Sequence, residues 1–91
     1  MSVYMITYDL NRPGQNYSRL YEEINKIARN DAIHPLKSVW FIVYPGTAKD
    51  IYTYLQSFID KNDEMIVCQM TKDYSGWVKD ESVVDWLKAR I

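Results

Sequence analysis

The chain has 91 residues, 47% of them hydrophobic, enough for one packed domain and too few for two. That composition excludes a disordered chain, and three Trp, eight Tyr and two Phe supply large side chains for a small core. Eleven basic residues against twelve acidic ones give a net charge of −1, without the basic field that nucleic-acid binders usually carry, so any such role has to rest on a local patch.

Cys68 is the only cysteine, so no intrachain disulfide can form, and within an apolar run it is expected to be a small buried hydrophobe. The N-terminal segment MSVYMITYDL lacks the basic and apolar pattern of a signal peptide, and no apolar stretch reaches the ~18–20 residues of a membrane helix. The expected compartment is the cytoplasm.

Residues 3–9 are apolar on both faces of an extended run, with Val3, Met5 and Thr7 on one and Tyr4, Ile6 and Tyr8 on the other. Such a run suits a central strand. Pro13-Gly14 marks a loop, and Asn16 is placed to cap the helix that follows. Tyr17, Leu20, Tyr21, Ile24, Ile27 and Ala28 recur at helical spacing, with Glu22, Glu23, Lys26 and Arg29 off the stripe, which predicts an amphipathic helix ending near Asn30. A short strand is expected over 33–37, demoted toward an edge by Pro35, and a long one over 38–44, β-branched and aromatic from Val39 onward. Thr47 and Asp50 have the spacing of a capping box, opening a second helix with Ile51, Leu55, Phe58 and Ile59 as its apolar stripe. Asn62-Asp63 is read as a turn, 64–71 as a strand and 73–79 as a loop carrying Tyr74, Gly76 and Trp77. Asp80 can cap a last helix, with Val83, Val84, Leu87 and Ile91 on one face.

The order β-α-β-β-α-β followed by α predicts an α+β, ferredoxin-like domain spanning residues 1–91, with one four-stranded antiparallel sheet and an added C-terminal helix. Both long helices are expected on one face of the sheet. The other face is expected to stay open, and an uncovered apolar face invites a partner, most simply a second copy of the chain.

Few residues could carry chemistry. Asp9 stands where a central strand leaves the sheet, where a carboxylate could hold a hard cation such as Mg²⁺, or could cap loop amides. A two-fold dimer would bring two copies of it together. Ser38, Trp40 and Arg12 are placed near the same edge, and each also has a plain structural reading as turn, packing and solvated residue. His34, the only histidine, cannot build a zinc site without further Cys or His ligands. The Tyr74-Ser75-Gly76-Trp77 loop could stack flat ligands, or pack over its own sheet or a partner.

Tyr8-Asp9-Leu10-Asn11-x-Pro13-Gly14-Gln15-x-Tyr17-x-x-Leu20-Tyr21, then Ser38-Val39-Trp40-Phe41, Asn62-Asp63-Glu64 and Gly76-Trp77, form a pattern over residues 3–79. It resembles the Cas-two superfamily of CRISPR adaptation proteins, and within it the SinR-like branch, which is related to the VapD ribonucleases. The resemblance implies a ferredoxin-like homodimer in which Asp9 is the Mg²⁺ ligand for phosphodiester cleavage and Ser38 the serine before the third strand. It also implies that Arg12 and Arg19, the arginines closest after Asp9, meet nucleic acid. Members act as metal-dependent nucleases or as scaffolds in which cleavage is dispensable. The expected function is therefore a Mg²⁺-dependent nuclease acting on RNA or DNA, with a non-catalytic dimeric binding or scaffold module of the same fold as the alternative.

Overall fold

A computed structural model describes residues 1–11 and 17–91. Its elements are β1 (Ser2–Asp9), α1 (Ser18–Ile27), β2 (Ala32–Leu36), β3 (Val39–Tyr44), α2 (Ala48–Leu55) with a 3₁₀ turn (Gln56–Phe58), β4 (Glu64–Gln69) and α3 (Ser82–Arg90). The four strands form one sheet in the order β2-β3-β1-β4, every pairing antiparallel. This α+β arrangement is compatible with a ferredoxin-like fold carrying an extra C-terminal helix, as the chain order suggests.

Strand β1 uses its two-residue period twice. Its even side chains Tyr4, Ile6 and Tyr8 enter the main core against α1 and α2, together with Leu20, Ile24, Trp40, Ile42, Ile51 and Leu55. Ile6, Ile24, Ile42, Ile51 and Leu55 are fully buried, and each such side chain contributes roughly 1.5–3 kcal/mol. Its odd residues face the other way, where Val3 packs with Val83 and Leu87 of α3. Backbone hydrogen bonding alternates in step. Tyr8 donates its amide to the Ser38 carbonyl at 3.0 Å, and the Val3 carbonyl accepts from Met70 at 2.8 Å, so even residues bond toward β3 and odd ones toward β4.

The second face differs from expectation. Helix α3 lies across it, burying Val83 and Leu87 against Val3, with Ile33, Phe41, Val43 and Tyr74 packed around them. Arg90 fixes the far end of this helix. Its Nε donates to Asp31 Oδ1 at 2.8 Å, and its guanidinium lies 4.2 Å from the centre of the Trp86 ring. The face is therefore half covered, because the apolar stripe of α3 has no other surface to meet.

Several boundaries also move. Helix α1 stops at Ile27 rather than near Asn30, because Arg29 and Asn30 take positive φ angles of 52° and 65° that no helix continues. Asn16, the expected cap, lies outside the described residues, as does Arg12. Strand β2 runs Ala32–Leu36 and β3 begins at Val39, which leaves Ser38 in the turn between them. Phe58 and Ile59 fall beyond α2, whose last turn tightens into the 3₁₀ segment, and β4 ends at Gln69. Cys68 is half-buried rather than buried, since its side of β4 faces the uncovered half of the sheet.

The capping box forms as its spacing predicts. Thr47 Oγ1 accepts from the Asp50 amide at 3.1 Å, and Asp50 Oδ2 accepts from the Thr47 amide at 3.0 Å. The Thr47 amide bonded to Oδ2, and then the Thr47 hydroxyl beside it, hold the Asp50 carboxyl below the usual carboxylate range. Gly46 enters this corner because a Cβ there would stand 2.7 Å from both Asp50 Oδ2 and the Tyr44 ring. Asp80 likewise accepts from the Ser82 amide at 3.0 Å as α3 begins.

Leu55 lies fully buried on the sheet side of α2 and Lys49 is exposed on the opposite side. Leu55→Ala should cost about 2–5 kcal/mol through lost burial and a residual cavity. Lys49→Ala should change stability by at most ~0.5 kcal/mol. Urea unfolding of the two variants measures this, and equal midpoint shifts would reverse the orientation given to α2.

Candidate functional site

Asp9 is the last residue of β1 and is exposed. In the antiparallel register it stands opposite Glu64, the first residue of β4, so both carboxylates leave the sheet on the same face. Like charges set opposite each other on neighbouring strands repel, and nearby cations relieve that repulsion. A cavity of about 520 Å³ opens beside them, with Tyr8, Asp9, Tyr52, Asp63 and Glu64 among its walls. Two carboxylates can enter a Mg²⁺ shell that water or phosphate completes. Among the described residues, no group of three or more His, Cys, Asp or Glu gathers to hold a metal.

Ser38 shares this end of the sheet, where its carbonyl receives the Tyr8 amide; the residue itself is exposed in the β2–β3 turn. Arg19 is in the first turn of α1, where Nε donates to Glu23 Oε1 at 3.1 Å and the guanidinium lies 5.3 Å from the centre of the Phe58 ring. Its charge is thus already engaged on the helical side of the molecule.

Asp63 does more than its turn position suggests. It is buried, and its Oδ1 accepts from the Asn11 amide at 2.8 Å and from the Tyr17 hydroxyl at 2.9 Å, while Oδ2 accepts from the Asp60 amide at 2.7 Å. One carboxylate therefore ties the segment leaving β1 to the turn entering β4. A buried carboxylate supplied with several donors is a framework element. Glu23 behaves similarly between α1 and α2. Tyr54 donates its hydroxyl to Glu23 Oε2, and that bond, with Lys26 and Arg19 nearby, holds the carboxyl below the usual carboxylate range. The helical pattern placed Glu23 off the apolar stripe, because periodicity carries no signal for a charged residue buried by its own partners.

An aromatic cluster backs the same end of the sheet. Trp40 Nε1 donates to Tyr8 Oη at 3.1 Å, and the Tyr8 hydroxyl donates to the Lys37 carbonyl at 3.2 Å. The His34 ring stacks on Trp40 with centres 4.2 Å apart and planes 12° apart. His34 Nε2 lies 3.2 Å from the Lys37 carbonyl and 3.3 Å from Tyr8 Oη. A carbonyl only accepts, so the Lys37 contact requires the proton on Nε2. His34 and Trp40 are thereby framework residues that lock the β2–β3 turn, which for Trp40 is the packing role its sequence position also allows.

The Tyr74–Trp77 loop divides its roles. Tyr74 packs into the second core cluster, whereas Trp77 is 81% exposed. Beside Trp77 lies a groove of about 550 Å³ over the uncovered half of the second face, lined mostly by apolar side chains including Met5, Leu36, Phe41 and Val84. Leu36 and Ile66 are 52% and 67% exposed. No described helix is long and apolar enough to cross a membrane.

Burial, and then the neighbouring Tyr21, raise the Tyr8 hydroxyl well above the ordinary tyrosine value. A group whose folded pKa is raised contributes stability that is complete below its unfolded pKa, near 10 for tyrosine, and is lost as pH rises toward the folded value. The urea midpoint of the unmodified chain should therefore fall more steeply between about pH 9.5 and 11 than that of Tyr8→Phe. At neutral pH, Tyr8→Phe should cost about 1–3 kcal/mol, because the Trp40 Nε1–H loses its acceptor. Parallel pH profiles for the two proteins would show that Tyr8 does not govern the alkaline limb.

No protein-family model matches the chain.

Proposed function

We propose that this chain works as a homodimeric, non-catalytic binding module whose uncovered half-face receives an apolar protein surface. The observation that carries this reading is Trp77, 81% exposed beside an apolar groove with Leu36 and Ile66 also outward. A cluster of that kind marks an interaction surface, and a protruding Trp beside a groove is the usual form of a binding anchor. Charge supports a protein rather than a polyanion. The chain carries −1 overall, and the pocket at the Asp9 edge is walled by Asp63 and Glu64.

A second reading is favoured by one observation. Asp9 and Glu64 stand opposite each other at the exposed end of the central strand. Such a pair would hold Mg²⁺, with Asp9 the ligand that the Cas-two resemblance implies and Glu64 added by the register, and the ion would activate water and neutralise charge at phosphorus. On this reading Asp9 is the metal ligand, Ser38 stands at the same end of the sheet, Arg12 meets the RNA or DNA together with Arg19, which would have to exchange its Glu23 partner for phosphate, and the compartment is the cytoplasm.

Two measurements test these readings, the first their shared dimer and the second the choice between them. Sedimentation equilibrium at micromolar concentration should give twice the 10.8 kDa chain mass; a monomer mass would remove the dimer from both. Fluorescein-labelled single-stranded RNA and DNA, incubated with Mg²⁺ or Mn²⁺, should remain intact and bind only weakly, with affinity falling as salt rises. Cleavage that is abolished both by EDTA and by Asp9→Asn would instead establish the nuclease.

A further inference from the structure

The two edges of the sheet are not alike. The β2 edge carries Pro35 and a register irregularity between Ile33 and Leu36, both of which blunt strand pairing. The β4 edge, Glu64–Gln69, has no proline, no lysine and an unbroken register with β1. Because odd residues of β1 bond to β4, the pairs Val3–Met70, Met5–Cys68, Thr7–Ile66 and Asp9–Glu64 exchange the inward hydrogen bonds. The amides and carbonyls of Met65, Val67 and Gln69 therefore point away from the sheet, and no described strand pairs with them.

We propose that β4 pairs with β4 of a second copy about a two-fold axis at Val67, joining the two sheets into one of eight strands. This deepens the homodimer reading above and rests on it. The register follows from the residues. Centring the axis on Val67 sets Val67 against its counterpart and Met65 against Gln69, so that all the outward groups are used, in about six main-chain hydrogen bonds. On the half-uncovered face the same register sets Ile66, 67% exposed, against Cys68 of the other copy, apolar against apolar. Glu64 meets Met70, so no like charges oppose each other. The blunted β2 edge decides the kind of assembly. Were both edges open, β2 could pair with β4 of the next copy and the chain would polymerise; with one edge open, the contact is isologous and closes at two. The two half-open faces then lie on the same side of the joined sheet, doubling the apolar platform next to Trp77.

The register gives a sharp test. Ile66 and Cys68 of the other copy occupy a non-hydrogen-bonded pair, whose Cα atoms lie roughly 4.5 Å apart, within disulfide reach. Cys68 and its own counterpart are diagonal neighbours at ~7–8 Å, beyond it. Under oxidised glutathione, Ile66→Cys should become a covalent dimer on a non-reducing gel, with peptide mapping placing the bond between positions 66 and 68 of different chains. The unmodified protein, and Ile66→Cys combined with Cys68→Ser, should stay uncrosslinked. Ile66 is exposed in the single chain, so the variant should fold. Gln69→Pro, which removes one outward amide from an edge position, should weaken dimerisation at least tenfold in sedimentation without shifting the melting of the monomer. A dimer in sedimentation that neither crosslinks through 66 and 68 nor responds to Gln69→Pro would overturn the β4 interface and leave the homodimer standing. A crosslink in the unmodified protein would overturn the register, and a monomer under all conditions would overturn both.

Discussion

Strand β1 sets the geometry of the molecule because each of its residues is committed in two directions at once. Its side chains alternate between the core under α1 and α2 and the face under α3, and its amides alternate between β3 and β4. A strand slip of one residue would exchange Ile6 and Tyr8 for Met5 and Thr7 in the main core and would place Asp9 against the helices. The register is held at the open end by Tyr8. Its ring is buried, its hydroxyl joins Trp40 to the Lys37 carbonyl, and its amide bonds to Ser38. The exposure of Asp9 one residue later is a direct consequence.

The parts of this architecture that a one-dimensional pattern can encode are legible in the sequence. The alternation in β1, the aromatic and β-branched run of β3 and the Thr47–Asp50 box all depend on residues close in the chain, and each forms where its spacing places it, whereas the stripe of α2 keeps Ile51 and Leu55 in the helix and leaves Phe58 and Ile59 beyond it. What pattern cannot encode is where a stripe docks. Val83 and Leu87 announce an amphipathic helix, but only the structure shows that the surface they cover is the face holding Val3 and Val43, an assignment sealed by Arg90 on Asp31. Boundaries shift for local reasons of the same kind, as where the positive φ of Arg29 and Asn30 ends α1 early.

The candidate site was legible in part. Asp9 and Ser38 share one end of the sheet as their positions at strand ends imply. Glu64 is visible in the sequence only within the Asn62-Asp63-Glu64 pattern, because its relation to Asp9 is a matter of cross-strand register, which links residues 55 positions apart. The burial of Asp63 and Glu23 escaped notice because carboxylates are read as solvent-facing by default, whereas here each is buried among donors: Asn11, Tyr17 and Asp60 for one, Tyr54 and Arg19 for the other. Buried acceptors of this sort hold loops and helices in register, and they leave Asp9 and Glu64 as the carboxylates near that edge without such a structural duty.

The β4 pairing also bears on the chemistry. A single Mg²⁺ shared by two copies of Asp9 needs both carboxylates at the two-fold axis. Pairing β4 with β4 about Val67 sets Glu64 against Met70 of the other copy, so the two Glu64 positions, and with them the Asp9 residues opposite, lie at opposite ends of the joint. Six residues of strand separate the two ends, on the order of 20 Å, several times the span that one ion bridges. An edge-paired dimer therefore offers two separate Asp9–Glu64 pairs, each limited to its own chain, and cannot build a bridged centre. The same geometry brings the two uncovered half-faces side by side. An interface that separates the carboxylates while it doubles the apolar platform favours recognition over cleavage, and this links the shape of an unguarded strand edge to the binding role proposed for the chain.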